Sequence, residues 1–198
     1  MKKINHSQPH IDHKDLRSLT DSIKTGWLAH GKNNKIFEDN FKKKIGSKYA
    51  ISCNSWTSGA FALLEALDKK GEIILPSFTF VASANVIINS GNTPIFCDVN
   101  QLNGNTTAEY IEKCISKKTI AVMIVHFAGQ TCEMEPIIQL CKKNKIILIE
   151  DSAENLGGKY KGIIAGSFGE SIYSFFPSKN ITTGEGGMVT TNNKQLAK

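Results

Sequence analysis

Arginine is nearly absent from this chain: Arg17 is the only one, and every other basic side chain is a lysine. Base-edge and phosphate recognition favours the forked guanidinium, so nucleic acid is not an expected partner. Long apolar runs are missing too. The longest clear one, Ile120 to Val125, falls far short of the roughly 20 residues a membrane helix needs, and no membrane association is expected. The start, Met1-Lys2-Lys3-Ile4-Asn5-His6, is followed by polar residues where a secretory signal would place an apolar stretch, which points to the cytoplasm. Cysteine is sparse and odd in number: Cys53, Cys97, Cys114, Cys132 and Cys141 show no C-x-x-C spacing. A disulfide framework and a structural zinc site are both disfavoured, no metal is expected, and the thiols read as reduced and mostly buried. Proline occurs five times, and there is no Pro/Gly linker, low-complexity tract or tandem repeat.

What is present is one globular unit. The chain has 198 residues with 40% apolar content and a formal charge of +6, which suits a single domain with a real core. The charge is uneven. Residues 1–50 carry 11 basic and 5 acidic side chains, and the remainder 13 of each. A lysine-rich run of this kind reads as a solvated face.

Short β-rich runs recur at Tyr49–Cys53, Glu72–Leu75, Pro94–Val99, Ile120–His126, Ile146–Asp151, Ser171–Phe176 and Gly187–Thr191. The first six start roughly 22 to 26 residues apart, the length of a strand, a helix and two loops, so βαβ units and a largely parallel sheet are expected. Only about ten residues link the sixth run to the seventh, too few for a parallel crossover, and the seventh strand should run antiparallel. Helical stretches include Phe37, Phe41 and Ile45 at i, i+4, i+8. Thr106 to Glu109 resembles a capping box ahead of Tyr110, Ile111 and Ile115. Pro136 suits the first turn of a helix running to about Lys143. The last residues, from Asn192, read as a turn entering a helix that is not completed, as though the chain stops in mid-fold.

Ligands of open α/β sheets bind beyond the carboxyl ends of the strands. After the first strand, Asn54-Ser55-Trp56-Thr57-Ser58-Gly59-Ala60 is either a phosphate cradle at a helix start or an ordinary N-cap by Ser55 or Thr57. Phe80, after the second, either offers a flat face to a ring or packs in the core. The fifth strand ends in Glu150-Asp151, where Asp151 faces a ligand cation or caps the next helix. Lys179 lies in a tight glycine-rich loop after Tyr173, Phe175 and Phe176. Partial desolvation there would free its amine as a nucleophile. Phosphate cradle, flat aromatic, carboxylate and recessed lysine are together what pyridoxal 5'-phosphate (PLP) requires: the lysine bonds the cofactor aldehyde, and the carboxylate keeps the pyridine nitrogen protonated.

These words carry a resemblance. Glu150-Asp151-Ser152-Ala153-Glu154, Gly166-Ser167-Phe168-Gly169 and the run Tyr173 to Met188 with Pro177-Ser178-Lys179-Asn180 closely resemble the DegT/DnrJ-type sugar aminotransferases, which are fold type I PLP enzymes. Gly26-Trp27-Leu28, Phe37-Glu38, Asn54 to Gly59, Pro76 to Phe80 and Val125 to Gln130 match as well, so the likeness covers nearly the whole chain. It implies an α/β three-layer sandwich with a seven-stranded, mostly parallel sheet whose last strand is antiparallel. Residues 1–198 would be the PLP-binding large domain, with the smaller C-terminal domain of longer relatives absent. Lys179 would carry the cofactor and Asp151 would partner the pyridine nitrogen. Phe80 would stack on the ring, while Ser174, Thr57 and the Ser58 amide would hold the phosphate. Glu154 stands near the ring hydroxyl, where the family often has Gln. Trp56 stands where it often has a small residue, and either packs or reshapes the pocket. His126 reads as a hydrogen-bonded structural histidine. The implied reaction moves an amino group from an amino acid, glutamate, to a nucleotide-linked keto-sugar for lipopolysaccharide or other amino-sugar assembly, in a homodimer. A sugar dehydratase of the same fold would have histidine in place of Lys179. The remaining alternative is a truncated, non-catalytic protein that binds PLP or a subunit.

Overall fold

The computed structural model describes residues 7–198, and the polar start over residues 1–6 lies outside them. Nine strands form: β1 (Tyr49–Cys53), β2 (Glu72–Pro76), β3 (Thr93–Cys97), β4 (Thr119–Val125), β5 (Ile147–Asp151), β6 (Lys159–Tyr160), β7 (Ile163–Ile164), β8 (Glu170–Ser174) and β9 (Gly187–Thr191). Six helices accompany them: α1 (His13–Lys24), α2 (Lys32–Ile45), α3 (Trp56–Ala66), α4 (Val81–Asn89), α5 (Ala108–Glu112) and α6 (Met134–Asn144). The main sheet has seven strands in the order β1-β9-β8-β5-β4-β2-β3. Its pairs are parallel from β8 to β3, whereas β9 runs antiparallel to both neighbours, with Tyr173 opposite Met188 and Ser52 opposite Met188 from the other side. The short link before β9 allows no other direction.

Strand alternation feeds two cores. Ile73, Leu75, Ala121, Met123, Ile149 and Ile172 face α3 and α4, where they meet Leu63, Leu64, Val86 and Ile87. Ile74, Val122, Ile124 and Leu148 face the other way, onto Ile111 of α5 and Met134, Ile137 and Leu140 of α6. A third cluster seats α2 through Phe41 and Ile45 on Ala50, Tyr173, Phe175 and Met188, with Phe41 edge-on to the Tyr173 ring at 4.9 Å. Both faces of the central strands are covered, so these strands read as apolar runs rather than alternating ones.

One local expectation is corrected, and two elements were not expected. The cap of α5 is Thr107, whose side chain accepts from the Tyr110 N–H. Thr106 instead donates to the Asp98 carbonyl, and the helix ends at Glu112, short of Ile115. The hairpin β6–β7 was not expected, because two-residue strands carry no periodicity. Nor was α1, whose Leu16, Leu19 and Ile23 are exposed and which buries no residue. Asn192 onward forms a short hydrogen-bonded turn, in which Ala197 N–H donates to the Asn193 carbonyl and Lys198 N–H to the Gln195 carbonyl. All five cysteines are free, and Cys97, Cys132 and Cys141 are buried.

A buried carboxylate ties the sheet to the loop ahead of β8. Glu150 is fully buried. Its Oε1 accepts from Phe168 N and Gly169 N at 2.8 Å, and its Oε2 from Gly166 N at 2.7 Å. His126 Nε2 completes the set at 3.0 Å. Because His126 Nδ1 accepts from the Cys132 N–H at 3.2 Å, the ring proton sits on Nε2 and donates to Glu150. Glu150→Gln would turn one acceptor into a donor facing backbone donors. It is expected to cost about 3 kcal/mol, read as a lowered urea midpoint; an unchanged midpoint would show that the network contributes nothing.

Candidate active site

The carboxyl ends of β1, β2, β5 and β8 open onto one cavity of about 390 Å³. Its walls include Ser55, Trp56 and Thr57 from the start of α3, Phe80 and Ser83 from the start of α4, Asp151 and Glu154 after β5, and Ser174, Lys179 and Glu185 after β8. Six of the seven residues singled out from the sequence therefore share this space: Lys179, Asp151, Thr57, Phe80, Glu154 and Ser174. Ser58 does not line it. Its N–H donates to Ser55 Oγ at 3.1 Å, and its hydroxyl donates to Asn54 Oδ1, so the Ser58 amide is spent on the helix cap.

Asp151 forms the floor. Residues 150 and 151 are neighbours on a strand and point to opposite faces, which sends Glu150 to the α6 side and Asp151 to the cavity side. Burial pushes the Asp151 carboxyl up to about 6, against the pull of the Ala153 N–H, the Ser83 hydroxyl and the nearby Lys179 charge. Oδ1 accepts from Ala153 N at 3.1 Å and Oδ2 from Ser83 Oγ at 3.2 Å. Each oxygen keeps acceptor capacity for a further donor.

Lys179 is held by its loop: its N–H donates to the Phe176 carbonyl at 2.9 Å. The side chain is 20% exposed, and Nζ stands 3.4 Å from Glu154 Oε1. Glu154 is itself anchored, because its Oε2 accepts from the Ala128 N–H at 2.9 Å. Ala128 presents that N–H from a 3-10 turn at Phe127–Gly129 with φ +51°, a left-handed conformation that alanine adopts at a cost. Phe80 is 77% exposed, which removes the core reading for it. Trp56 is buried in the core against α3 and α4 and also walls the cavity, and its indole N–H has no partner among the described residues.

Backbone closeness shapes the α3 end of the cavity. The first N–H groups of α3 have no partner within the helix, and Thr57 adds an exposed hydroxyl beside them. A Cβ at Gly187 would run into the Ser55 carbonyl and the Trp56 nitrogen, so only glycine lets β9 start this close to α3. Gly187→Ala is expected to cost about 2–3 kcal/mol and to displace the first turn of α3. A melting curve overlaying that of the wild type would contradict this.

Ser83 and Glu185 were not anticipated from the sequence. Ser83 is a first-turn helix residue without motif character, and only the approach of α4 to the end of β5 gives it a role. Among the described residues no cluster of three or more His, Cys, Asp or Glu side chains could hold a metal ion, and no helix is long and apolar enough to cross a membrane.

A family model for the DegT/DnrJ/EryC1/StrS aminotransferases matches residues 9–198. GDP-perosamine synthase of Escherichia coli O157:H7 is 40% identical over 201 residues, covering 99% of this chain and 55% of that one. Among solved structures, Helicobacter pylori PseC, an aminotransferase involved in the biosynthesis of pseudoaminic acid, superposes with a TM-score of 0.94 at 34% identity. That superposition spans 99% of this chain and 54% of PseC. Spr1654 of Streptococcus pneumoniae in its PLP form gives 0.93 at 27% identity, spanning 98% and 54%. The chain spans about half the length of the relatives it matches.

Proposed function

The chain belongs to the DegT/DnrJ/EryC1/StrS aminotransferase family, and from that premise we propose that residues 1–198 form the PLP-binding large domain of a sugar aminotransferase. In this reading the amino group passes from glutamate to a nucleotide-linked keto-sugar, in a cytoplasmic homodimer. The observation that carries it is the meeting of Lys179 and the buried Asp151 on one cavity beside the start of α3.

The residues present fit the cofactor. A buried carboxyl with spare acceptor capacity suits a protonated ring nitrogen, a helix start with a hydroxyl suits a phosphate, and an exposed Phe80 ring at the mouth suits a flat heterocycle. When bound, PLP supplies an aldehyde for the amine and an electron-accepting ring that eases loss of a proton from the carbon bearing nitrogen. The chain's own residues do the rest. Lys179 Nζ would be the amine that holds the cofactor and, once freed from it, the base that moves the proton. Glu154, clamped by Ala128 N–H, holds Nζ on its side of the cavity. Asp151, which is buried, would hold the proton of the ring nitrogen away from water.

The test is to add PLP and then glutamate to the chain and follow the visible absorbance. The reading expects a band that glutamate converts. Absence of any band overturns it. A band that glutamate leaves untouched would instead favour a non-catalytic cofactor-binding or subunit-binding protein.

A further inference from the structure

Asp151 is backed by a pair of hydroxyls, those of Ser83 and Thr79. Ser83, 1% exposed on the first turn of α4, sends its Oγ–H across 68 residues of sequence to Asp151 Oδ2 at 3.2 Å. Thr79, four residues earlier and part-buried, donates its own hydroxyl proton to Ser83 Oγ at 3.0 Å. A helical serine ordinarily turns back to the carbonyl at i−4. Here the i−4 residue offers a hydroxyl instead, and that donation takes up an acceptor site on Ser83 and leaves its single proton for the carboxylate.

We infer that Thr79 and Ser83 are positioning residues for the amino-transfer reaction, a two-hydroxyl chain that holds Asp151 as an ionised acceptor with its plane fixed toward the cavity. The inference rests on the reading of Asp151 as partner of the ring nitrogen. Its physical basis lies in the chain alone. Burial opposes the charge on Asp151, and each donor aimed at the carboxylate counters it. The Ala153 N–H fixes one oxygen and the Ser83 hydroxyl the other. The remaining ionisable groups facing Asp151 are accounted for: His126 at the end of β4 donates to Glu150, Glu150 points to the other face of the sheet, and Lys179 pairs with Glu154. Ser83 is thus the one side chain hydrogen-bonded to Asp151 among the described residues. A hydroxyl kept only for packing would not need an oriented donor behind it.

The experiment is a pH titration of the 198-residue chain, labelled with 13C at aspartate carboxyls and without added cofactor, with the Asp151 signal identified by its loss in Asp151→Asn. The wild-type midpoint is expected at about 6. Ser83→Ala should raise it by about one to two pH units, Thr79→Val should raise it by a smaller step, and Ser83→Thr should restore it. A midpoint unmoved in folded Ser83→Ala overturns the inference. If that variant does not fold, an unmoved midpoint in Thr79→Val does so. Trapping of PLP on Lys179 is read separately, so failure of the cofactor reading and failure of the hydroxyl chain give different results.

Discussion

Lys179→Ala is expected to abolish the borohydride-fixed attachment of PLP and to lower the proposed amino transfer by on the order of 10³-fold or more, while the chain still folds. The expectation follows from the cavity's contents. Lys179 is the lysine among its lining residues, and its Nζ is oriented by Glu154 rather than left in solvent. Loss of the ion pair itself should cost little, because Glu154 is 42% exposed and such pairs contribute about 0–1 kcal/mol. Lys179→Arg is the informative companion. It keeps a positive charge beside Glu154 and Asp151 but offers no amine that loses its proton near neutral pH, so it too should fail to attach PLP. Mass spectrometry after reduction decides the matter, and an adduct on a different lysine in either variant would transfer the role elsewhere.

The second large effect has two signs. Asp151→Asn should remove most turnover, because an amide cannot hold a proton on the ring nitrogen, yet it should stabilise the chain without cofactor at alkaline pH. The folded carboxyl titrates at about 6 against an ordinary value of 3.8, so the native state binds the proton more tightly than the unfolded chain. Stability from this group is therefore greatest at acid pH, falls as pH rises from about 4 to about 6, and stays low above that. The gap corresponds to at most about 3 kcal/mol. The variant and the wild type should melt together near pH 4 and separate at pH 8, with the variant higher by several degrees. Equal separation at both values would show that burial of the charge is not the cause. The cost of keeping Asp151 ionised without a cationic partner is the kind of strain that active sites hold and structural sites avoid.

Much of the architecture was legible along the chain. The β-branched runs gave strand positions within one or two residues, since a strand buried on both faces must be apolar throughout, as in Ile146 to Ile149. Spacing gave parallel direction, and the short link into Gly187 gave the reversal of β9. The order β1-β9-β8-β5-β4-β2-β3 was not legible, because edge pairing depends on contacts between residues far apart, such as Ser52 with Met188. The same limit hid α1, whose apolar residues meet nothing described that would select them.

At the site, local chemistry named the participants. Lysine in a glycine-rich loop, a carboxylate ending an apolar strand and hydroxyls at a helix start are visible as residue types at positions. Which of two adjacent carboxylates faces the cavity was not visible in the strand pattern alone; the family resemblance pointed to Asp151. A two-residue period says only that Glu150 and Asp151 diverge. Packing of α3 and α4 on one face and α6 on the other sent Asp151 to the ligand side and Glu150 to the amides of Gly166, Phe168 and Gly169. The same packing spent the Ser58 amide on Ser55 and brought Ser83 against Asp151. Residue types along a chain specify what chemistry is available, whereas hydrogen-bond partners are assigned only when distant segments share a surface, since direction and distance are properties of the folded chain.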